Sequence, residues 1–177
     1  MTPSAPDATK HARTGEPPAA SGAEPPADAV RAAARDAGLI AGLRDVYAVV
    51  DEGLDQRGAR CSACGRCCDF ARTGHRLYAS TAELAMLASV PPPEPVMPGR
   101  CPYLRGQACG ARDRRTLGCR TYFCDPDLRE PGRDAYEAAH RAIRRLHETY
   151  GVGYHYMELT AGLAAALTGP DGGEFSR

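Results

Sequence analysis

Eight cysteines, confined to two stretches, constrain this 177-residue chain more than any other feature. Cys61, Cys64, Cys67 and Cys68 form a C-x2-C-x2-C-C run, CSACGRCC. Cys101, Cys109, Cys119 and Cys124 follow, with seven, nine and four residues between them. Two residues between thiols suit a tight turn that aims both sulfurs at one ion. Gly65, directly after the second cysteine, tolerates the positive φ such a turn demands. It also admits backbone N–H groups close to the sulfurs, where they spread thiolate charge.

Three chemistries compete for these thiols. The first is an iron–sulfur centre: the first three positions match the start of a ferredoxin-type run, and Cys101-Pro102 resembles its Cys-Pro end. The second is zinc held by four thiolates per site. Adjacent Cys67 and Cys68 ordinarily point in different directions, so the doublet fits two adjoining sites or leaves one thiol spare. The third is a disulfide framework, whose connectivity a sequence cannot choose. Compartment weighs against the third. Residues 1–30 lack the apolar stretch of a secretory signal, and no run approaches the roughly eighteen apolar residues of a membrane span. The expected setting is therefore the cytoplasm, where clustered cysteines more often hold metal than form disulfides.

The remaining composition excludes more than it assigns. Twenty-two basic and twenty-two acidic residues cancel, so no net charge steers the chain to nucleic acid or to a membrane. A protein partner stays open, and no nucleic acid or membrane is expected. No phosphate-binding glycine loop, nucleophile elbow or dinucleotide fingerprint is present, so enzymatic activity is left undecided.

Residues 1–27 are rich in Pro, Ala, Ser, Gly and Glu and read as a disordered tail, as do residues 169–177 at the other end. Between them, residues 28–168 read as one small α-rich domain with minor β structure, an irregular cysteine-rich, metal-bound core braced by helices. Its first helix is expected over 28–56, with Asp28 as N-cap and Ala33, Ala37, Ile40, Tyr47 and Leu54 on its apolar stripe. The cysteine core spans 58–125. Within it, His75 to Ala79 suits a short strand, and Ser80 with Glu83 forms a capping box that opens a helix over STAELAML. VPPPEPVMPG is a connector that proline keeps out of helix interiors. The helical C-terminal part covers 132–168, with Tyr136, Ala139, Ile143, Leu146 and Tyr150 on its long apolar stripe.

CSACGRCC, followed by CPYL and then CRTYFCD, resembles the bacterial CxxCxxCC cysteine-cluster family of zinc- or iron-chelating domains. The order continues through HRLYAS, TAELAML with Glu83, Cys101-Pro102-Tyr103-Leu104, Cys109, Arg115, and Cys119-Arg120 with Tyr122. The resemblance covers about residues 58–125. Thr116 stands where that pattern has proline. The resemblance implies metal chelation by Cys61, Cys64, Cys67, Cys68, Cys101, Cys109, Cys119 and Cys124, the ion being zinc or iron, the latter including a 4Fe–4S cluster. An iron–sulfur-dependent redox or protein-modifying enzyme is the alternative, and a disulfide-stabilised interaction module ranks below it. His75 is a candidate further ligand, whereas His140, His147 and His155 suit packing roles. Arg112, Arg114, Arg115 and Arg120 read equally well as thiolate counter-charges or as a solvated basic loop.

Overall fold

Asp36 decides how the N-terminal half begins. In the computed structural model, which describes residues 27–92 and 97–167, the helical pattern divides there into α1 (Ala27–Arg35) and α2 (Ala37–Gln56). Asp36 takes an extended conformation (φ −85°, ψ 94°) and its carboxylate accepts the Leu39 N–H at 2.9 Å, capping the second helix. The break resets the phase of the apolar stripe. Leu39, Leu43, Tyr47, Val50 and Leu54 are the buried residues of α2, whereas Ala37 is exposed and Ile40 half-buried. The expected single helix over 28–56 thus becomes two because an aspartate that can cap does so. Asp28 lies in the first turn of α1, one residue inside the helix. The expected tails lie outside the described residues, apart from Ala27, and so do residues 93–96 of the proline-rich connector.

The chain is a small α-rich domain with two short two-stranded sheets. Its centre is α4 (Thr81–Ala88), all of whose residues are buried. Helices α1, α2 and α7 (Leu159–Leu167) surround it. The long α6 (Arg129–Tyr150) packs along α2. Gly38 and Gly42 permit that approach: a Cβ on Gly42 would stand 2.8 Å from Leu146 Cδ2. The helix cost of the two glycines, about 1 kcal/mol each, is thus offset by closer packing.

Strand β1 (Tyr78–Ser80) pairs antiparallel with β4 (Tyr156–Glu158), Ala79 facing Met157. A second hairpin, β2 (Leu104–Arg105) with β3 (Ala108–Cys109), belongs to the cysteine segment. Two further helices complete the middle of the chain, α3 (Phe70–Thr73) and α5 (Leu117–Thr121). That middle is better anchored than its glycine and arginine content implies. Tyr103, Leu117 and Phe123 enter the hydrophobic core. The Tyr103 hydroxyl donates to the carbonyls of Val90 (2.8 Å) and Leu87 (3.0 Å), tying the segment to the end of α4. Among the described residues no helix is long and apolar enough to cross a membrane.

Glu83 is the polar hub of this arrangement. Its carboxylate accepts the Ser80 N–H at 2.8 Å, the Leu117 N–H at 2.7 Å and the Tyr47 hydroxyl at 3.1 Å, while the residue is 2% exposed. One carboxylate therefore joins α2, the start of α4 and the start of α5. Arg120 supports it from the far side of Tyr47. Its guanidinium lies 4.1 Å from the Tyr47 ring centroid, pairs with Asp51, and donates to the carbonyls of Arg115 (2.9 Å) and Asp113 (2.8 Å).

Candidate metal centre

The first cysteine group folds as a knuckle. Gly65 adopts φ +70°, and a 3-10 turn over Arg66–Cys68 follows, closed by the Cys68 N–H to the Gly65 carbonyl at 3.0 Å. There is no room for a side chain at Gly65: a Cβ there would stand 3.0 Å from the Gln107 backbone. The knuckle consequently rests on the β2–β3 turn, whose second strand ends in Cys109. Backbone pairing completes the join. Cys101 N–H donates to the Cys68 carbonyl at 2.8 Å and Ala71 N–H to the Gly99 carbonyl at 2.8 Å, with a bridge between Asp69 and Arg100. An ion pair of 3.4 Å between Arg100 and Asp69 lies over this seam. Cysteines thirty or more residues apart become neighbours through main-chain bonds, which do not depend on the thiols themselves.

All eight cysteines are unpaired by disulfides. Their neighbours do not follow the sequence grouping. Cys61, Cys64, Cys67 and Cys124 line one open cleft of about 400 Å³, beside Arg66. Cys64 and Cys124 each act on the other's thiol. Cys101 acts on the Cys68 thiol, and Cys119 sits within electrostatic reach of Cys109 and Cys68. The doublet is the junction: the Cys67 and Cys68 sulfurs are 3.9 Å apart. For comparison, the edge of a tetrahedron with ligands at about 2.3 Å from the ion is roughly 3.8 Å. Among the described residues, no three Cys, His, Asp or Glu side chains are gathered in a form that could hold a metal ion. The thiols are adjacent, but they do not converge on one point.

Their protonation reflects this crowding. The Cys67 thiol is pushed far up by its hydrogen bond to Cys68 and by burial. Cys68 is pushed up to about 12, chiefly by the neighbouring Cys101, and Cys119 up to about 11 by burial. Burial and the neighbouring Cys67 and Cys64 raise Cys124 as well. Cys64 departs from this pattern. The Arg66 guanidinium, 3.4 Å from its sulfur, brings its thiol down to about 6. The most readily ionised thiol thus lies three positions before one of the most reluctant, Cys67. In metal-free protein at pH 7, Cys64 is therefore expected to be the first thiol alkylated by iodoacetamide and Cys119 among the last. The rate at Cys64 should fall as pH drops through about 6, and Arg66→Ala should move that inflection upward. Site-resolved mass spectrometry reads the order; uniform labelling would overturn it.

Other residues separate into structural and local roles. Arg115 lowers the Cys119 thiol, whereas Arg120, next in sequence, is 7% exposed and committed to Asp51 and backbone carbonyls. Arg66, not singled out by its pattern, is the arginine in contact with a cysteine sulfur. Thr116 substitutes a donor for the rigidity of proline: its hydroxyl donates to Cys119 Sγ at 3.3 Å. His75 stacks on Tyr122 (4.6 Å between centroids), with both ring nitrogens enclosed and bonded to no side chain. His140 bonds the Tyr154 hydroxyl at 2.6 Å and His147 the Val152 carbonyl at 3.1 Å, which places both in the packing of α6 rather than among thiols. The chain matches no protein-family model, no curated protein and no solved structure.

Proposed function

We propose that this chain is a metal-binding protein of the cysteine-cluster kind, holding zinc or iron through its eight thiolates. The observation that carries this reading is the company each thiol keeps. A disulfide framework would match thiols two by two. Here Cys61, Cys64, Cys67 and Cys124 line one cleft, and the Cys67 sulfur also stands 3.9 Å from that of Cys68. Thiols raised by burial and by one another are the groups a divalent cation relieves, because it binds the deprotonated form and neutralises the charge that crowding opposes.

The neighbours also favour a partition that crosses the sequence groups. Cys61, Cys64, Cys67 and Cys124 form an outer set, at the open cleft. Cys68, Cys101, Cys109 and Cys119 form an inner set, next to Tyr103. Soft, all-sulfur donors select zinc or iron among the common divalent ions. Each set would carry about two excess negative charges around a divalent ion, by ligand counting. Arg66 is positioned to offset the outer set and Arg115 the inner one.

Anaerobic purification followed by elemental and sulfide analysis tests the proposal. Eight thiolates at four per ion predict about two zinc ions per chain, or iron with matching sulfide and absorbance near 400 nm. Cys64→Ser and Cys68→Ser should each release metal, one from the outer set and one from the inner. Metal-free protein with no titratable thiols would overturn the reading in favour of disulfides.

A further inference from the structure

A second cleft, of about 290 Å³, opens between β1, β4, α5 and the first turns of α6. Three exposed arginines line it: Arg76, Arg129 and Arg133. No acidic side chain does, and among the described residues none of the three arginines is in an ion pair. That is unusual in a chain whose charges cancel. The segregation is visible along α6 itself. Arg129, Gly132, Arg133 and Tyr136 recur at helical spacing and face the cleft, while Glu130, Asp134 and Glu137 fall roughly a quarter-turn away. Glu137, and ahead of it the buried Glu83, are felt at Tyr156, and both lie outside the cleft.

Three like charges around one depression repel each other, and Arg76, just before β1, lines both this cleft and the neighbouring one. The start of α6 adds the positive end of a 22-residue helix. The remaining walls are aromatic. Tyr78 stacks on Tyr156 with centroids 5.6 Å apart, and the hydroxyls of Tyr156 and Tyr136 bond to each other. At the rim Tyr122, 37% exposed, stacks on His75 through one ring face and lines the cleft beside Arg76. Guanidinium forks match phosphate oxygens two at a time, and ring faces hold a flat organic group.

We propose that this cleft binds a phosphate monoester with a planar body, the phosphate between Arg76, Arg129 and Arg133 and the ring against Tyr122 and Tyr78. The site is independent of the thiols, although Tyr122 and Phe123 form a wall common to this cleft and to that of the outer cysteine set. Titration calorimetry on the full chain, as purified, tests it with phenyl phosphate, inorganic phosphate and phenol. Phenyl phosphate should bind, inorganic phosphate should bind more weakly, and phenol should give no saturable heat. Arg76→Ala and Arg133→Ala should each weaken phenyl phosphate by about tenfold, the worth of one charge-assisted hydrogen bond. Arg145→Ala, on an exposed part of α6 outside the cleft, should leave the affinity unchanged. Tyr122→Ala should abolish the preference for phenyl phosphate over phosphate. Absence of phosphate binding, or equal weakening by Arg145→Ala, overturns the proposal.

Discussion

Glu83→Ala is expected to lower unfolding stability by about 4 kcal/mol, a large part of what a domain of this size possesses. The residue buries a carboxylate with no direct ion-pair partner, made tolerable by three donors: the N–H groups of Ser80 and Leu117 and the Tyr47 hydroxyl. Alanine leaves all three buried and unmet, at roughly 1–3 kcal/mol apiece before relaxation. Glu83→Gln separates this cause from lost volume. One carboxylate oxygen, Oε1, serves both Tyr47 and Leu117, so an amide oxygen in its place keeps two bonds and sets its NH2 group against only the Ser80 N–H. Glutamine should therefore cost less than half as much as alanine. Urea denaturation of the three proteins reads the series, and equal midpoints for glutamine and alanine would refute it.

Gly132→Ala is expected to be nearly as damaging, although alanine is the better helix former by about 1 kcal/mol. A Cβ at this position would overlap the Thr121 carbonyl oxygen and stand 3.3 Å from the Phe123 ring. The obstacle is backbone, so it cannot be relieved by a rotamer change; α6 must move off α5. Overpacking of this kind costs about 1–3 kcal/mol or more, which outweighs the propensity gain. The displaced residues lie between Cys119 and Cys124. If the proposed metal reading holds, the variant is expected to surrender metal to a chelator faster than the parent, besides melting earlier. An unchanged chelation rate would separate the packing of α6 from the cysteine sets.

Legibility from sequence followed locality. The capping box at Ser80 and Glu83 spans four contiguous residues, and the Glu83 half of it is present as read. The stripe of α6 through Ala139 and Ile143 is long enough for its period to be unambiguous, and both residues are buried. The division of α1 from α2 escaped notice because Asp36 competes with an otherwise continuous apolar pattern. Helix α5, five residues long, is too short to display a period. Arg120, which it carries, looked like its neighbours because its partner Asp51 is 69 positions away. The regrouping of the cysteines was unreadable for the same reason. It depends on main-chain pairing of residues 68–71 with 99–101, and the side-chain pattern carries no trace of that register.

The pairing of β1 with β4 sets a timetable for the newly made chain. Tyr78 meets Glu158, so this sheet cannot close until all eight cysteines have left the ribosome. About a hundred residues separate Cys61 from that closing strand, and synthesis at roughly 5–20 residues per second leaves the knuckle waiting for about 5–20 s. During that interval the knuckle's thiols lack the cover of the later segments, Cys124 included, and Arg66 is the chief neighbour holding the Cys64 thiol low. Oxidants and ions reach the nascent knuckle first. The cysteine knuckle is thus made early and covered late.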